Sequence, residues 1–159
     1  MKFFDSIDAG WHRSAADGSA LAPAAYSLLD LAQWARTGST WPAELPVGLV
    51  LPNDVPVAQI AADLPRLALV VLDFPKWTDG RAYSQAHLLR ARHQFTGEVR
   101  ASGEVLVDML PLLQRNGVDA VVLRSDQSVD AARRALVLAP APYQGDAVEG
   151  RPRFARVAA

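Results

Sequence analysis

Residues 67–84 read Leu-Ala-Leu-Val-Val-Leu-Asp-Phe-Pro-Lys-Trp-Thr-Asp-Gly-Arg-Ala-Tyr-Ser, and this stretch decides the fold. Its first six residues are all apolar, which predicts a buried strand over 67–72. A helical pattern begins at Arg81, and a charged loop containing Asp73, Lys76 and Asp79 separates it from the strand. The stretch therefore predicts a buried strand, a polar loop and a helix in direct succession.

The same alternation of strand and helix recurs along the chain. Strands are predicted at 47–51, 67–72, 98–101 and 118–123, with a further short strand over 24–29. Helices are predicted at 57–64, 81–95, 104–116 and 129–138. Apolar strands that alternate with helices form parallel sheets covered on both faces, so the predicted fold class is α/β. Pro111 predicts a kink or break in the third helix, because an interior proline costs roughly 3 kcal/mol.

The length of the chain limits the architecture. A complete eight-stranded barrel needs roughly 250 residues, and this chain has 159. Four to five βα units with a parallel sheet therefore predict a half-TIM-barrel-like fold, with an open doubly wound, flavodoxin-like sheet as the alternative. We expect a single domain over 1–159, an irregular N-terminal arm at 1–22 and a C-terminal tail at 143–159. Because a half-barrel exposes its strand edges, we also expect a homodimer that covers them.

The helix predicted over 81–95 has two apolar faces. One face carries Ala82, Ala86, Leu89 and His93, and an almost opposite face carries Ser84, Leu88, Ala91 and Phe95. A helix of this kind is stable when both faces are buried. The outer face is expected to lie under either the N-terminal segment or a second subunit, and the pattern leaves both open.

The composition excludes several classes of function. Sixteen basic and 17 acidic residues give a net charge of −1, which argues against nucleic acid or an anionic membrane as partner. The absence of cysteine excludes disulfides, thiolate catalysis and cysteine-ligated metal centres. The chain has no apolar run long enough to span a bilayer, and its first five residues do not begin a signal peptide, so a cytoplasmic location is expected. No metal and no cofactor are predicted, because metal-ligand spacings and nucleotide-binding fingerprints are both missing.

The loops that follow the strands hold the candidate site. Right-handed crossovers bring these loops to one C-terminal rim, where α/β folds bind their ligands. Lys76 and Arg81 flank a helix start, so an anion-binding site is predicted there. The alternative is that Thr78 or Asp79 caps the helix and Arg81 pairs with a nearby carboxylate. The candidate anion- or ligand-binding residues are Asp73, Lys76, Thr78, Asp79, Gly80, Arg81, Ser84, Ser102, Gly103 and Arg124; no catalytic residue is assigned.

A second pattern suggests a phosphate site. Ser102-Gly103 follows a strand, and Gly117-Val118-Asp119 precedes another. Together they resemble the phosphate-binding end of TIM barrels that hold phosphate ligands. A phosphate-ligand-binding half-barrel enzyme is therefore one alternative function.

Several runs carry a family resemblance. They are 72–84, Gly97-Glu98-Val99-Arg100-Ala101, Gly103-Glu104-Val105-Leu106 and Gly117-Val118-Asp119-Ala120. In these runs the chain resembles the bacterial family catalogued as domain of unknown function 934. By the family pattern, the positions expected to carry function are Lys76, Thr78, Asp79, Gly80, Arg81 and Ser84.

The resemblance implies a role in sulfur metabolism. Members of the family are described as oxidoreductases and are often encoded beside sulfite reductase and other sulfate-assimilation genes. We therefore expect an accessory or oxidoreductase component of sulfite reduction that binds the reductase or a small oxyanion. A non-catalytic interaction module that docks on sulfite reductase is the alternative.

Overall fold

A single parallel sheet organises the chain. The structure is a computed structural model that describes residues 1–13, 22–139 and 143–156. Within these ranges there are seven strands: β1 Lys2–Phe4, β2 His12–Arg13, β3 Ser27–Leu29, β4 Val47–Leu51, β5 Leu67–Phe74, β6 Glu98–Gly103 and β7 Ala120–Val122. Their order is β1-β7-β6-β5-β4-β3-β2, every pair is parallel, and the sheet curls into a half-barrel. The predicted α/β half-barrel is confirmed.

The helices pack on the outer face of the half-barrel. In the described ranges they are α1 Leu31–Thr37, α2 Arg81–His87, α3 Leu110–Arg115, α4 Val129–Leu138 and the one-turn α5 Arg153–Arg156. Successive strand residues point to opposite faces, and Val70 and Leu72 on β5 belong to the same buried cluster as Ala86 on α2 and Leu113 on α3. This outer cluster is the main core of the protein.

The inner face of the half-barrel is covered by the N-terminal arm instead of by helices. Leu69 and Val71 on β5 are fully buried there, and Ile7 and Trp11 of the arm pack against their cluster. The arm also supplies β1 and β2, which form the two opposite edges of the sheet. Two sequence-based expectations therefore need correction: the arm is not irregular over these strands, and helices do not cover both faces of the sheet. The homodimer that was expected to cover the strand edges remains a prediction. Residues 14–21 of the predicted arm lie outside the described residues.

Arg100 joins the arm to the sheet. Its side chain is 1% exposed on β6, and its Nη1 donates to the main-chain oxygens of Ile7 at 2.8 Å and Ala9 at 3.1 Å. Its Nε and Nη2 donate to Oε1 of Glu98 at 2.9 and 2.7 Å, and its guanidinium carbon lies 4.1 Å from the ring centroid of Phe4. The charge is thus buried with its hydrogen-bonding groups satisfied, which is the condition for keeping an arginine inside a protein.

The helix predicted over 57–64 is replaced by two 3-10 turns, Val57–Ile60 and Leu64–Arg66. Pro65 lies in the second turn, and proline has no N–H with which to continue an α-helix. Pro65 therefore prevents an α-helix from continuing at the end of this segment, and the structure gives no comparable reason for the 3-10 geometry of Val57–Ile60.

The helix predicted over 81–95 ends early. After α2 the backbone widens into a π turn at Leu88–Arg92, and Phe95 reaches the core from a turn, where it is 6% exposed. In the described residues 1–13 of the N-terminal segment, Ile7 and Trp11 pack inside the half-barrel and not on this outer face. Covering of this face by a second subunit remains a prediction.

The helix predicted over 104–116 is also shorter. The chain runs extended after β6, forms a 3-10 turn at Val107–Met109 and enters α3 with Pro111 in its first turn. Proline is tolerated there because the first helical N–H groups have no partner within the helix, so the expected break precedes Pro111. By contrast α4 matches the prediction over 129–138, and the side chain of Ser128 accepts a hydrogen bond from Ala131 N to cap it.

The described part of the predicted tail, 143–156, returns to the body of the protein. The main-chain N of Ala147 donates to Arg115 O at 3.0 Å, and that of Arg153 donates to Tyr143 O at 2.8 Å. Residues 157–159 lie outside the described ranges. The extent of the domain over 1–159 remains a prediction.

Candidate functional site at the carboxyl-terminal rim

The loops after β4, β5, β6 and β7 lie together at the carboxyl-terminal end of the sheet, because all these strands are parallel. The loop between β5 and α2, residues 75–80, is here called the rim loop. It contains Lys76, Trp77, Thr78, Asp79 and Gly80. Of these residues only Asp79 is partly shielded from solvent, so the rim loop projects from the body of the protein.

Asp79 and Arg81 form a salt bridge with each other. Nε of Arg81 donates to Oδ1 of Asp79 at 3.0 Å, and Nη2 donates to Oδ2 at 2.7 Å. The main-chain N of Arg81 also donates to Oδ1 at 3.2 Å. The guanidinium of Arg81 holds the pKa of the Asp79 carboxyl well below its usual range. This is the carboxylate pairing that the sequence left as an alternative, and it occupies the Nε and Nη2 edge of the guanidinium, one of the edges that can hold an anion through two N–H groups.

Lys76 and Trp77 differ from that pair, since both are exposed and neither is tied to the body. Trp77 is 54% exposed. Lys76 makes no ion pair with any residue in the described ranges. An exposed tryptophan is typical of residues that bind a protein partner. Thr78 is exposed in the same loop, and Gly80 is the residue before α2.

Asp73 and Ser102 form a second group on the inner face of the sheet. They are Cα partners at the ends of β5 and β6; Ser102 is 4% exposed, and Asp73 is half-buried. Burial raises the pKa of the Asp73 carboxyl. A half-buried carboxylate at the carboxyl end of a central strand is the position at which barrel enzymes place catalytic groups.

Gly103 allows these two strand ends to approach. Its φ is +92°, and a Cβ there would clash with the main-chain oxygen of Phe74 and lie 3.0 Å from Oδ1 of Asp73. Only glycine meets both conditions without strain. The role of Gly103 is therefore to place Asp73 beside β6.

The expected phosphate cradle at Ser102-Gly103 has few free donors. The main-chain N of Glu104 donates to Phe74 O at 2.7 Å, and that of Val105 donates to Gly103 O at 2.8 Å. No helix begins here in the described chain, so the dipole that favours phosphate is also missing. Asp119 lies before β7, at the opposite end of the sheet, where it pairs with Arg90 and accepts from Val99 N at 2.8 Å.

Arg124 is paired like Arg81. Its Nη1 lies 2.9 Å from Oε2 of Glu104, and its Nε lies 2.7 Å from Oδ1 of Asp126. The hydrogen bonds from Arg124 lower the pKa of Asp126 to about 2. The structure thus gives the two predicted arginines carboxylate partners, and it does not join Lys76, Arg81 and Arg124 into one cationic cluster.

Two residues of this region were missed by the sequence analysis. Asn53, after β4, and Gln85, on α2, are 8% and 5% exposed and line a cavity together with the predicted residue Ser84. Neither has a sequence signature, because a buried amide cannot be distinguished from a solvated one by periodicity. Trp77 was inside the quoted stretch, and its position in a charged loop after Pro75 was the available signal for exposure.

No helix in the described chain is long and apolar enough to cross a membrane. Residues 1–13, 22–139 and 143–156 contain no group of three or more histidine, aspartate or glutamate side chains placed to hold a metal ion.

Comparison with known proteins identifies the family. The model of a family described as a bacterial protein of unknown function, DUF934, matches residues 48–154. This range includes the rim loop, Asp73, Ser102 and Arg124, and the chain belongs to that family. No curated protein matches the chain.

Proposed function

We propose that the protein is an accessory component of sulfite reduction that docks on sulfite reductase through its rim loop. The observation that carries the docking role is the exposure of Trp77 beside Lys76. The other charged residue of the rim loop, Asp79, is paired with Arg81. The choice of partner rests on the resemblance to a family whose members are often encoded beside sulfite reductase.

The pairing of Asp79 with Arg81 supports docking over anion binding. Bidentate contact occupies the Nε and Nη2 edge of the Arg81 guanidinium, so an oxyanion would meet a charge that a carboxylate already balances and would have only the Nη1 side to bind. The same contact fixes the end of the loop next to α2. A loop that is ordered before binding loses less conformational entropy on association, which favours affinity.

The chemistry of Trp77 and Lys76 indicates the kind of surface that they contact. Tryptophan contributes a large apolar area when it enters a pocket of the partner, and such residues dominate interface energies. Lys76 extends the contact with a positive charge, so an acidic patch beside an apolar pocket on the reductase is the complementary surface.

The experiment is binding of the purified protein to sulfite reductase from the same bacterium, followed by biolayer interferometry. We expect Trp77→Ala to weaken binding by about thirtyfold or more, the range of an interface hot spot. Phe154→Ala is the matched control, because Phe154 is an exposed aromatic residue of the tail at 67% exposure. Absence of binding by the unsubstituted protein would rule out this partner.

A second assay separates docking from anion binding. Calorimetric titration with sulfite, sulfate and phosphate is expected to give no saturable heat, because Arg81 and Arg124 are both paired. Saturable sulfite binding that disappears in Lys76→Ala would instead support the oxyanion site.

A catalytic half-barrel is the second candidate function, and Asp73 is the observation that favours it. We propose that Asp73 exchanges a proton with a small ligand held beside Ser102, since burial raises the pKa of its carboxyl. Loss of sulfite-dependent growth in an Asp73→Asn strain that still docks on the reductase would support this role. Normal growth of that strain would exclude it.

A further inference from the structure

A row of four side chains crosses the inner face of the half-barrel at its carboxyl-terminal end. Asp73 on β5 and Ser102 on β6 are Cα partners. Val122 on β7 is level with Ser102 in the parallel register of β6 and β7, and Phe4 on β1 is the Cα partner of Val122. Because residues opposite each other on neighbouring strands point to the same face, the row is continuous and runs from polar to apolar.

Ser102 supplies an unpartnered hydroxyl to this row. The residue is 4% exposed, and its Oγ forms no hydrogen bond with any described residue. Oγ still meets solvent, because the unpartnered side-chain atoms that are fully closed off in the described chain belong to Asn53 and Gln85. A ligand atom can therefore reach this hydroxyl.

Asp73 places an unpaired carboxylate beside that hydroxyl. It is half-buried and makes no ion pair with a described residue. A Cβ on Gly103 would lie 3.0 Å from its Oδ1, so the carboxylate leans toward the end of β6. Burial raises the pKa of this carboxyl, and no neighbouring cation opposes that effect. The carboxylate and the hydroxyl are thus two adjacent acceptors that lack a donor.

The charges around the row favour a positive ligand. Arg124 is held by two carboxylates, Glu104 and Asp126, at 2.9 and 2.7 Å. The charge of Arg100, which lies two residues before the hydroxyl on β6, is balanced by Glu98 at 2.7 Å. Both guanidinium groups are therefore engaged, and an unpaired carboxylate attracts a cation and repels an anion.

The other half of the row is apolar. Val122 and Phe4 are both partly exposed, and the ring of Phe4 is held over the guanidinium carbon of Arg100 at 4.1 Å. Neighbouring strands lie about 4.8 Å apart, so roughly 10 Å separates the strand of Asp73 from that of Val122. A ligand with a charged head and a short apolar body spans this distance.

We propose that the row binds a small primary ammonium compound with an apolar body. The ammonium group donates to the carboxylate of Asp73 and to Oγ of Ser102, and the apolar body packs on Val122 and Phe4. This assignment rests on the catalytic half-barrel described above as the second candidate function, whose ligand class it names. Docking through the rim loop does not depend on it.

The test compares four probes on the full-length protein by two-dimensional NMR. 2-Phenylethylamine has both groups, 2-phenylethanol lacks the charge, ethylamine lacks the aromatic body, and 3-phenylpropanoate has the opposite charge. We expect 2-phenylethylamine to shift the amide signals of residues 73–75, 102–104 and 122–124 and to bind about tenfold more tightly than 2-phenylethanol or ethylamine. 3-Phenylpropanoate is expected to leave these signals unchanged.

Two variants assign the ends of the ligand. Asp73→Asn should weaken 2-phenylethylamine about tenfold while leaving 2-phenylethanol unchanged, and Val122→Ala should weaken both phenyl probes while leaving ethylamine unchanged. Asp108→Asn is the matched control, because Asp108 is an exposed carboxylate in the loop after β6 and should bind every probe like the unsubstituted protein.

The proposal is overturned if 2-phenylethylamine shifts none of these signals at millimolar concentration. It is also overturned if 3-phenylpropanoate binds as tightly, or if Asp73→Asn leaves amine binding unchanged. If no amine binds while an Asp73→Asn strain loses sulfite-dependent growth, the ligand class is wrong and the catalytic role of Asp73 stands.

Discussion

The carboxylate of Asp79 holds the guanidinium of Arg81 through two hydrogen bonds, at 3.0 and 2.7 Å. The two residues flank Gly80, so the contact closes the rim loop immediately before α2. Arg81 and Lys76 were together expected to bind an anion. Because Arg81 is paired with Asp79, the exposed residues of this loop that remain without a carboxylate partner in the described chain are Lys76 and its neighbour Trp77. Asp79 and Arg81 therefore have a structural role at the end of the rim loop. Lys76 and Trp77 are exposed and available to a partner.

Replacing Arg81 tests that pairing directly. In Arg81→Gln we expect the pKa of Asp79 to rise toward the ordinary value for aspartate, because the hydrogen bonds from Arg81 are the largest cause of its depression. A pH titration of the side-chain carboxyl by ¹³C NMR measures this. An unchanged Asp79 pKa would show that the two side chains are not paired in solution.

A glycine series separates backbone strain from steric clash. Gly103→Ala should lower the free energy of unfolding by more than about 2 kcal/mol, because a positive φ and a clash with Phe74 O act together. Gly10→Ala should cost about 1 kcal/mol, since its φ is +78° but nothing lies within 4 Å of the added Cβ. Gly80→Ala, with φ of −80°, should be nearly neutral. Urea denaturation measures all three, and equal losses at Gly10 and Gly103 would contradict the close approach of β5 and β6.

The N-terminal arm is expected to depend on Arg100. Arg100→Met removes the donors to Ile7 O and Ala9 O and one of the two ion-pair partners of Glu98, the other being Lys2, which should cost about 2 kcal/mol or more. Hydrogen exchange in residues 2–13 should accelerate more than in β5. The control Arg36→Met should stay within about 0.5 kcal/mol, as for other surface changes. Unchanged exchange in the arm would show that Arg100 does not hold it.

Asp73 gives stability a defined pH dependence. Its pKa is raised in the folded protein, so its ionisation opposes folding, and this cost develops as the pH rises from the usual aspartate range through the raised pKa. Asp73→Asn removes the cost. The variant should therefore gain stability relative to the unsubstituted protein at pH 7 and lose that advantage at pH 3, as measured by urea denaturation. An advantage independent of pH would mean that burial does not perturb this carboxyl.

The sequence predicted the half-barrel because apolar strands such as 67–72 alternate with helical patterns, a signal that depends only on local periodicity. It did not predict the arm over the inner face. The contacts between Arg100 and Ile7 join residues far apart in the chain, and the short strands β1 and β2 have little periodicity of their own. Helix ends were misplaced at Pro65, which is visible in the sequence but lies just beyond the predicted helix, and at the π turn, which depends on hydrogen bonds that a helical projection does not include.

At the candidate site, the sequence located the rim loop and the neighbouring residues Asp73, Ser102 and Gly103. It could not decide which cations were paired. Arg81 takes its carboxylate from within the motif, whereas Arg124 takes one from Glu104 on a different loop. It also did not predict the cavity, because the unpartnered atoms of Asn53 and Gln85 follow from the way α2 packs on the loop after β4.

The most direct test of the central claim is the affinity of the protein for sulfite reductase, measured by biolayer interferometry for the unsubstituted chain and for Trp77→Ala. We predict saturable binding that falls by about thirtyfold or more in Trp77→Ala and is unchanged in Phe154→Ala. Equal binding by all three proteins would contradict docking through the rim loop.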